Sequence, residues 1–595
     1  MKKDNLFFLF IVLFSFIFYI FTAPNGIYTG DSGEITTAVA LWGIAHPTGF
    51  PLYLILAKLF SYFLPMLDFA QRLNIFSALI SSLTLSFLFI VLKKLQINKT
   101  ISLASVLALT FTYTFWSHAT TPQVYSITAL FFTLAILIFL HWLDAKKDKY
   151  LYLLAIVCGL GVGTHLTFLL VIPFIIIYTL IKDKRLFTIK RVVLFSLLFL
   201  LFTTLIYSYI PLRSLQNPII NWGEPNTYQN FKNYITQKDY ADKIADRPLE
   251  SWGLFFNELG KIFTREFTLL GFLIILIGSI ITFIKNKALF FAGFSVIIFN
   301  IILLGNYGNN TDIFILWRYF LPSYIIMTIF LAFSLASFLK NKKYILISFV
   351  FPIIILLAHL GQLNQHNVNT TEAFLDNVLL SLPENSVLVM SGDTFFGGFY
   401  YKQEVLHQRE DLIIIDYLMN THPWYHEQKK NNLLAKGYIY DDDIVKLIKN
   451  NQDKSFFSLI NSEAFLKNNF DLYPMGLVYQ IKEKGAEVDI EDLKNKNMGL
   501  WKKYDLMSVN NKNFDNKYFI YEIVKLYIGD LNNLSAFLFN NGYYEEGVSF
   551  FKQSLAIREN RVALYNLSGI YSESSDKDQA LKYRQLLENF DSIER

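Results

Sequence analysis

Eleven apolar runs, each about as long as a bilayer's hydrocarbon core is thick, constrain this chain more than any other feature. They centre within 5–23, 73–92, 101–117, 124–143, 150–164, 166–181, 191–211, 267–284, 288–304, 319–338 and 344–360. Crossing ~30 Å of hydrocarbon takes about 20 apolar residues in a helix. Composition agrees: 53% of the 595 residues are hydrophobic, too many for a soluble protein of this length. The chain therefore reads as a polytopic α-helical membrane protein with about 11 transmembrane helices. Runs five and six are short and meet at a Gly-rich hairpin, "GLGVGTH". Glycines 159, 161 and 163 there read as helix-packing residues.

Lysines set the orientation. Lys2 and Lys3 precede run one, and Lys93, Lys94 and Lys99 separate runs two and three. "AKKDK" follows run four, "KDKR" with Lys190 and Arg191 follows run six, Lys285 and Lys287 follow run eight, and "KNKK" follows run ten. With eleven spans all of these fall on one side, so the N-terminus is expected in the cytoplasm and everything after residue 361 on the outer face. The first run lacks a small-x-small cleavage site and reads as an uncleaved span. Richness in Phe, Ile, Asn and Lys reads as an AT-rich, bacterial genome, and the membrane as the plasma (inner) membrane.

The opposite side collects the polar, Pro- and His-bearing segments. These are "DSGEITTAVALWGIAHPTGFPLY" (31–53), "FWSHATTPQVYS", Gly163 to Thr167, "YIPLRSLQNPIINWGEPN" and "GNYGNNTDIFILWRYFLP". That asymmetry points to an active surface at the outer membrane boundary. Asp31 and Glu34 share a face if the segment is helical, and "DSGE" also fits a capping box with Ser32 or Asp31 as N-cap. As plain structure they would only cap an interfacial helix. A carboxylate at a membrane boundary is costly, which favours function. His46 lies in a Pro-stiffened turn, "HPTGFP". Arg72, Arg213 and Arg318 lie near outer span ends. Arginines there often snorkel, but the planar fork also suits a phosphate. His118 and His165 at span ends read most simply as solvated.

Other classes are excluded or absent. Net charge is only +5, with no Lys/Arg block interleaved with aromatics, so no nucleic acid is expected. A single cysteine, Cys158, permits no internal disulfide and no Cys-based metal site. No phosphate-binding loop and no zinc-spaced cluster occurs. No cofactor is required, a divalent metal is not predicted, and energy must come from an activated substrate or a gradient.

After residue 361 the chain turns polar. Residues 362–527 read as an outward-facing α/β unit, with strand, loop, helix and strand over 384–419. Residues 528–595 read as helix pairs in which Gly547 aligns with Ala580, a period near 33, like a tetratricopeptide repeat. Such a tail would cap the α/β unit or bind a partner protein.

Four motifs in order, "GDSGE…ALWGIAHPTGFPLY", "GLGVGTHLT", "YIPLRSLQNPIINWGEPNTYQNF" and "SGDTFFGGFYYKQEVLHQREDLIIID", resemble the bacterial protein O-mannosyltransferase-like family. These are GT-C superfamily glycosyltransferases, and the resemblance covers most of residues 1–430. Gln123 stands where the family pattern implies glutamate. The resemblance implies a GT-C-like catalytic domain over 1–361 and a sugar, mannose, taken from a polyprenyl-phosphate donor. It also implies a secreted or membrane protein hydroxyl as acceptor, and an acidic catalytic residue in the first outer loop. Asp31 matches that position, with Glu34 second. His46, Arg72, Tyr125, His165, Arg213, Trp222 and Arg318 are the implied substrate-binding residues. A carboxylate base and cationic help for a phosphate leaving group would suffice for one inverting displacement. A flippase of lipid-linked sugars would place its polar groups near mid-membrane instead. A membrane-tethered scaffold would not need such outer loops.

Overall fold

A computed structural model of the chain describes all residues except 1, 244–246, 309–312, 342, 367, 460–462, 513–517, 575 and 594–595. Part of the "GNYGNNTDIFILWRYFLP" segment thus lies outside the described residues. There are two compact units: Met1–Asn25 with Ala38–His366, and Gly26–Thr37 with Asn367–Arg595.

The first unit is helical. Its helices are α1 (Lys2–Thr22), the end of α2 (Ser32–Ala40), α3 (Pro51–Ser61), α4 (Phe69–Lys94), α5 (Lys99–Thr110), α6 (Tyr113–Ala119), α7 (Tyr125–Ala145) and α8 (Asp148–Val162). They continue as α9 (Val171–Asp183), α10 (Ile189–Tyr207), α11 (Tyr209–Ser214), α12 (Tyr228–Ile235), α13 (Trp252–Lys285), α14 (Lys287–Gly305), α15 (Leu321–Phe338) and α16 (Val350–Leu363). Nine helical stretches among the described residues are long and apolar enough to cross a membrane, ten if one bent pair counts as a span. The expected eleven is not confirmed by this count. Run three is the bent pair, α5 and α6, meeting at 73°. Run five is α8, whose 15 residues reach only about 22 Å, short of the ~30 Å core. The hairpin glycines are packing residues, as expected: a Cβ on Gly159 would lie 2.6 Å from the Phe199 carbonyl oxygen.

The lysine-bearing ends meet one another. Lys94 at the end of α4 pairs with Asp144 at the end of α7 at 2.6 Å, and Arg191 of α10 pairs with Asp148 of α8 at 2.9 Å. Lys285 closing α13 donates to Ser337 near the end of α15 at 2.8 Å. These contacts set the end of α4 beside that of α7, the start of α10 beside that of α8, and the end of α13 beside that of α15.

The second unit is built on a five-stranded sheet of order β2-β1-β3-β5-β4. Its strands are β1 (Val387–Met390), β2 (Ile413–Asp416), β3 (Phe456–Ser458), β4 (Phe470–Met475) and β5 (Val478–Glu483). Interior β1 runs parallel to β2, Val387 opposite Ile413, and to β3, Val387 opposite Phe456; β5 and β4 complete an antiparallel edge. Val387, Val389, Ile413, Ile415, Phe456 and Ile481 form its core. These uninterrupted apolar runs suit a sheet covered on both faces. The covering helices are α17 (Thr370–Ser381), α18 (Asp393–Tyr400), α19 (Pro423–Ala435), α20 (Ile444–Asn450), α21 (Ala464–Asn469) and α22 (Ile490–Lys503). The strand, helix and strand read over 384–419 are β1, α18 and β2.

Four longer helices follow: α23 (Tyr518–Asn540), α24 (Tyr544–Ile557), α25 (Arg561–Glu573) and α26 (Lys577–Ile593). The boundary drawn at 527/528 falls inside α23, because the helix begins at Tyr518. Gly547 lies where α24 crosses α23, with a would-be Cβ 2.9 Å from the Ser535 carbonyl oxygen. The first unit closes at His366.

Candidate active site

Asp31 sits at the start of α2, its carbonyl accepting from the Ile35 amide at 2.9 Å. The i,i+3 helical spacing to Glu34 is as read from the sequence. Ser32 does not complete a capping box: its hydroxyl accepts from the upstream Tyr28 amide at 3.0 Å. Glu34 is 4% exposed, whereas Asp31 is partly exposed. Residues 26–37 belong to the second unit. There the Ile27 amide donates to Glu372 at 3.1 Å, and the Gly30 amide donates to the Thr394 hydroxyl at 2.8 Å.

In the first unit, the C-terminal carbonyls of α2 gather cations. Lys58 donates to Ala40 at 2.5 Å. Arg213 donates to Trp42 at 2.5 Å, to Leu41 at 3.1 Å and to Gln216 Oε1. Orphan carbonyls at a helix C-terminus carry partial negative charge and draw positive side chains. Arg213, expected on a donor phosphate, is thus a backbone clamp. Arg72 is likewise engaged with its own loop, donating to Leu67 at 2.8 Å and Pro65 at 2.9 Å. Both guanidiniums lie near irregular backbone and donate to its carbonyls.

"HPTGFP" forms a tight turn closed by the Gly49 amide on the His46 carbonyl at 2.8 Å. Gly49 has φ +80, and a Cβ there would lie 2.5 Å from the Tyr234 hydroxyl, so glycine is required. The turn is held by Tyr234, which donates to the Ala45 carbonyl, and by Tyr209, which donates to Gly43 at 3.0 Å. Ile44 bridges Asn221, and the Leu52 amide reaches Gly163 at 3.0 Å.

These ties bring the remaining expected residues into one belt. Trp222 lies against His46 at 6.0 Å between ring centroids, and His46 against Phe50 at 5.0 Å. Phe50 stacks on His165 at 5.9 Å; His165 meets Tyr125 at 5.1 Å and stacks on Tyr319 at 5.6 Å. Tyr125 continues to His118 at 4.9 Å, and His118 stacks on Trp317 at 5.3 Å. His118 is 4% exposed, not solvated as expected, and its Nε2 is buried with no hydrogen-bond partner among the described residues. Arg318, next to Trp317, is also buried and within electrostatic reach of His118. Five segments widely separated in sequence thus meet in one run of ring contacts, in which Phe50, Tyr125, His118, Trp317 and Arg318 are buried.

The belt ends on residues that sequence reasoning missed. The Arg265 guanidinium lies 4.0 Å from the Tyr113 ring and 5.4 Å from Trp317. It is 35% exposed, 3.5 Å from Glu266, and its Nε and Nη2 lack hydrogen-bond partners among the described residues. Glu266 is fully buried and accepts from the Thr114 amide at 2.8 Å and the Thr114 hydroxyl at 2.5 Å, which caps the first turn of α6. Just beyond, α13 breaks at Thr268, φ +61. His359 spans both breaks, one ring nitrogen 2.8 Å from the Phe111 carbonyl and the other 2.9 Å from that of Arg265. The available signal was an Arg-Glu pair at the edge of an apolar tract, where a buried ionisable group points to function. Among the described residues no group of three or more His, Cys, Asp or Glu is arranged to hold a metal.

Residues 31–188 match the family model for the protein O-mannosyl-transferase TMEM260 N-terminal domain. The match begins at Asp31 itself. Over 456 residues the chain is 22% identical to protein O-mannosyl-transferase TMEM260 of Mus musculus, covering 68% of this chain and 62% of the relative. Over 481 residues it is 24% identical to protein O-mannosyl-transferase tmem260 of Dictyostelium discoideum, covering 69% and 57%. The chain thus spans about three-fifths of the length of the curated relatives it matches. Among solved structures it is similar to ArnT from Cupriavidus metallidurans bound to undecaprenyl phosphate, with TM-score 0.55 and 12% identity, over 81% of this chain and 98% of ArnT. The apo state of ArnT aligns with a TM-score of 0.50. The protein O-mannosyltransferase resemblance read from the sequence is borne out, and the GT-C fold with it.

Proposed function

We propose that this multi-pass membrane protein is a glycosyltransferase that moves mannose from a polyprenyl-phosphate donor to a serine or threonine hydroxyl of a secreted or membrane protein. The reaction takes place on the outer face of the membrane. The observation that carries the reading is the belt from Trp222 to Arg265, a run of rings and imidazoles with the partly exposed Arg265 guanidinium at one end and Arg318 within electrostatic reach of His118. A sugar packs on rings, and a phosphate needs forked cations. The names of the TMEM260 relatives and the lipid phosphate bound by ArnT support the same chemistry.

In the proposed step the acceptor oxygen attacks the anomeric carbon as its proton passes to the Asp31 carboxylate. The bond from that carbon to the phosphate oxygen breaks, and polyprenyl phosphate leaves as an anion. A single displacement inverts the anomeric centre. Asp31 is preferred over Glu34 because it is partly exposed while Glu34 is buried. The leaving phosphate is assigned to Arg265 and Arg318, with His118 Nε2 beside them, since Arg213 and Arg72 are committed to backbone. His46, His165, Tyr125 and Trp222 are assigned to the sugar. The helix pairs from α23 onward are assigned to a protein partner, on their repeat-like period alone.

The test is Asp31→Asn in purified protein given a polyprenyl-phosphate mannose and a Ser/Thr peptide. Loss of a positioned general base costs roughly 10²–10⁴-fold in rate, so transfer should fall by that factor while the protein stays folded. Wild-type turnover would remove Asp31 from the chemistry.

A further inference from the structure

We infer that the second unit holds the acid in place: Gly397, Thr394 and Glu372 are positioning residues for Asp31. This rests on the reading of Asp31 as the base. The two motifs concerned, "GDSGE" and "SGDTFFGG", are far apart in the chain, and the structure shows what joins them.

The contact is backbone on backbone. A Cβ on Gly33 would lie 2.6 Å from the Gly397 carbonyl carbon, and a Cβ on Gly397 would lie 2.2 Å from the Glu34 amide nitrogen. No side chain fits at either position, so the first turn of α2 rests directly on α18. One hydrogen bond fixes the residue before the acid: Gly30 N–H to the Thr394 hydroxyl, 2.8 Å. A further tie lies upstream, where Glu372 in the first turn of α17 accepts from Ile27, and a Cβ on Gly26 would strike its carboxylate. Tyr28, between them, packs on Val368 and Ile520. Asp31 is therefore bracketed, at Gly30 on one side and Gly33 on the other.

The support beneath is stiff. α18 follows closely on β1, an interior strand of the sheet, and buries Phe396 and Phe399. Gly398, next to the contact, sits against Leu375 of α17. The route from sheet core to acid runs through one strand, one short helix and one glycine pair. A base that must meet a hydroxyl proton within hydrogen-bond distance needs such a route, because misplacement by 1 Å can cost ~10²-fold. Packing alone would not require ties on both sides of the one partly exposed carboxylate of the motif.

The experiment uses full-length protein in nanodiscs with a polyprenyl-phosphate mannose and a Ser/Thr peptide, reading kcat and donor KM separately, and melting temperature alongside. Thr394→Val should lower kcat by about fivefold, the worth of one hydrogen bond, with donor KM unchanged. Thr394→Ser, which keeps the hydroxyl, should restore it. Gly397→Ala should lower kcat by ~10²-fold. Wild-type kcat in both Thr394→Val and Gly397→Ala overturns the inference. So does a fall in kcat that tracks melting temperature and is not restored by Thr394→Ser. Asp31→Asn measured alongside separates the two claims. An active Asp31→Asn refutes the base itself, while an inactive one beside a fully active Gly397→Ala refutes only the positioning.

Discussion

Replacing Arg213 by alanine removes the larger part of the clamp that finishes α2. The guanidinium donates to the Trp42 carbonyl at 2.5 Å and the Leu41 carbonyl at 3.1 Å; its third contact, to Gln216, is exposed. A hydrogen bond from a charged donor contributes ~1.5–3 kcal/mol. Taking the two backbone contacts at the low end for a half-buried group gives about 3 kcal/mol, and the charge at a helix C-terminus adds ~0.3–1 kcal/mol. Lysine can keep the charge but reaches fewer acceptors, so Arg213→Lys should lose roughly half as much. Denaturant titration of the detergent-solubilised protein, followed by tryptophan emission, reads both losses. Donor KM in Arg213→Ala, measured below the onset of unfolding, should stay within about twofold of wild type, since an effect below ~0.4 kcal/mol is expected. Unchanged stability with a tenfold rise in donor KM would refute the clamp and return Arg213 to the phosphate.

Arg265→Ala should weaken donor binding or turnover by at least about tenfold, the value of one charge-assisted contact, in kinetics titrated against the lipid donor. Arg265→Lys should recover only part, because the stack on Tyr113 at 4.0 Å is lost. Burial pushes the Asp530 carboxyl up to about 7, against the hydrogen bond it accepts from Tyr479 at 2.6 Å. A raised carboxyl favours the folded state while protonated, so this stabilisation is full below about pH 4 and is lost as pH rises through 7. The second unit should therefore melt lower at pH 8 than at pH 5.5, and Asp530→Asn should flatten that difference in thermal scans of the whole protein.

The apolar runs made most of the bundle legible, since span length is set by lipid thickness, and the lysines marked which helix ends lie together. The break in run three was not legible, because neither proline nor glycine punctuates Phe111–Thr112. The bend is capped by Glu266, 152 residues further on. The belt residues His46, Tyr125, His165 and Trp222 could be picked out as polar or aromatic groups at one set of span ends, but their order depends on ring contacts between segments. Arg213 shows the converse: its fork was visible, its partners 171 residues upstream were not. Arg265 went unread because arginine at a span edge is ordinarily a snorkelling residue. The i,i+3 acid pair was legible locally, whereas its seat on Thr394 is a contact over 364 residues.

His359 touches the carbonyls left open by both interrupted helices, and that ties distant positions into a shared history. A lineage that replaced it with an apolar residue would remove the ring that lies between the two carbonyls. Straightening α13 at Thr268 in that same lineage would still leave the carbonyl at Phe111 without the ring. Neither step is neutral by itself, so drift through this region should proceed by joint replacement at 111, 266, 268 and 359, and a hybrid of two diverged relatives that splits the set should fail to fold.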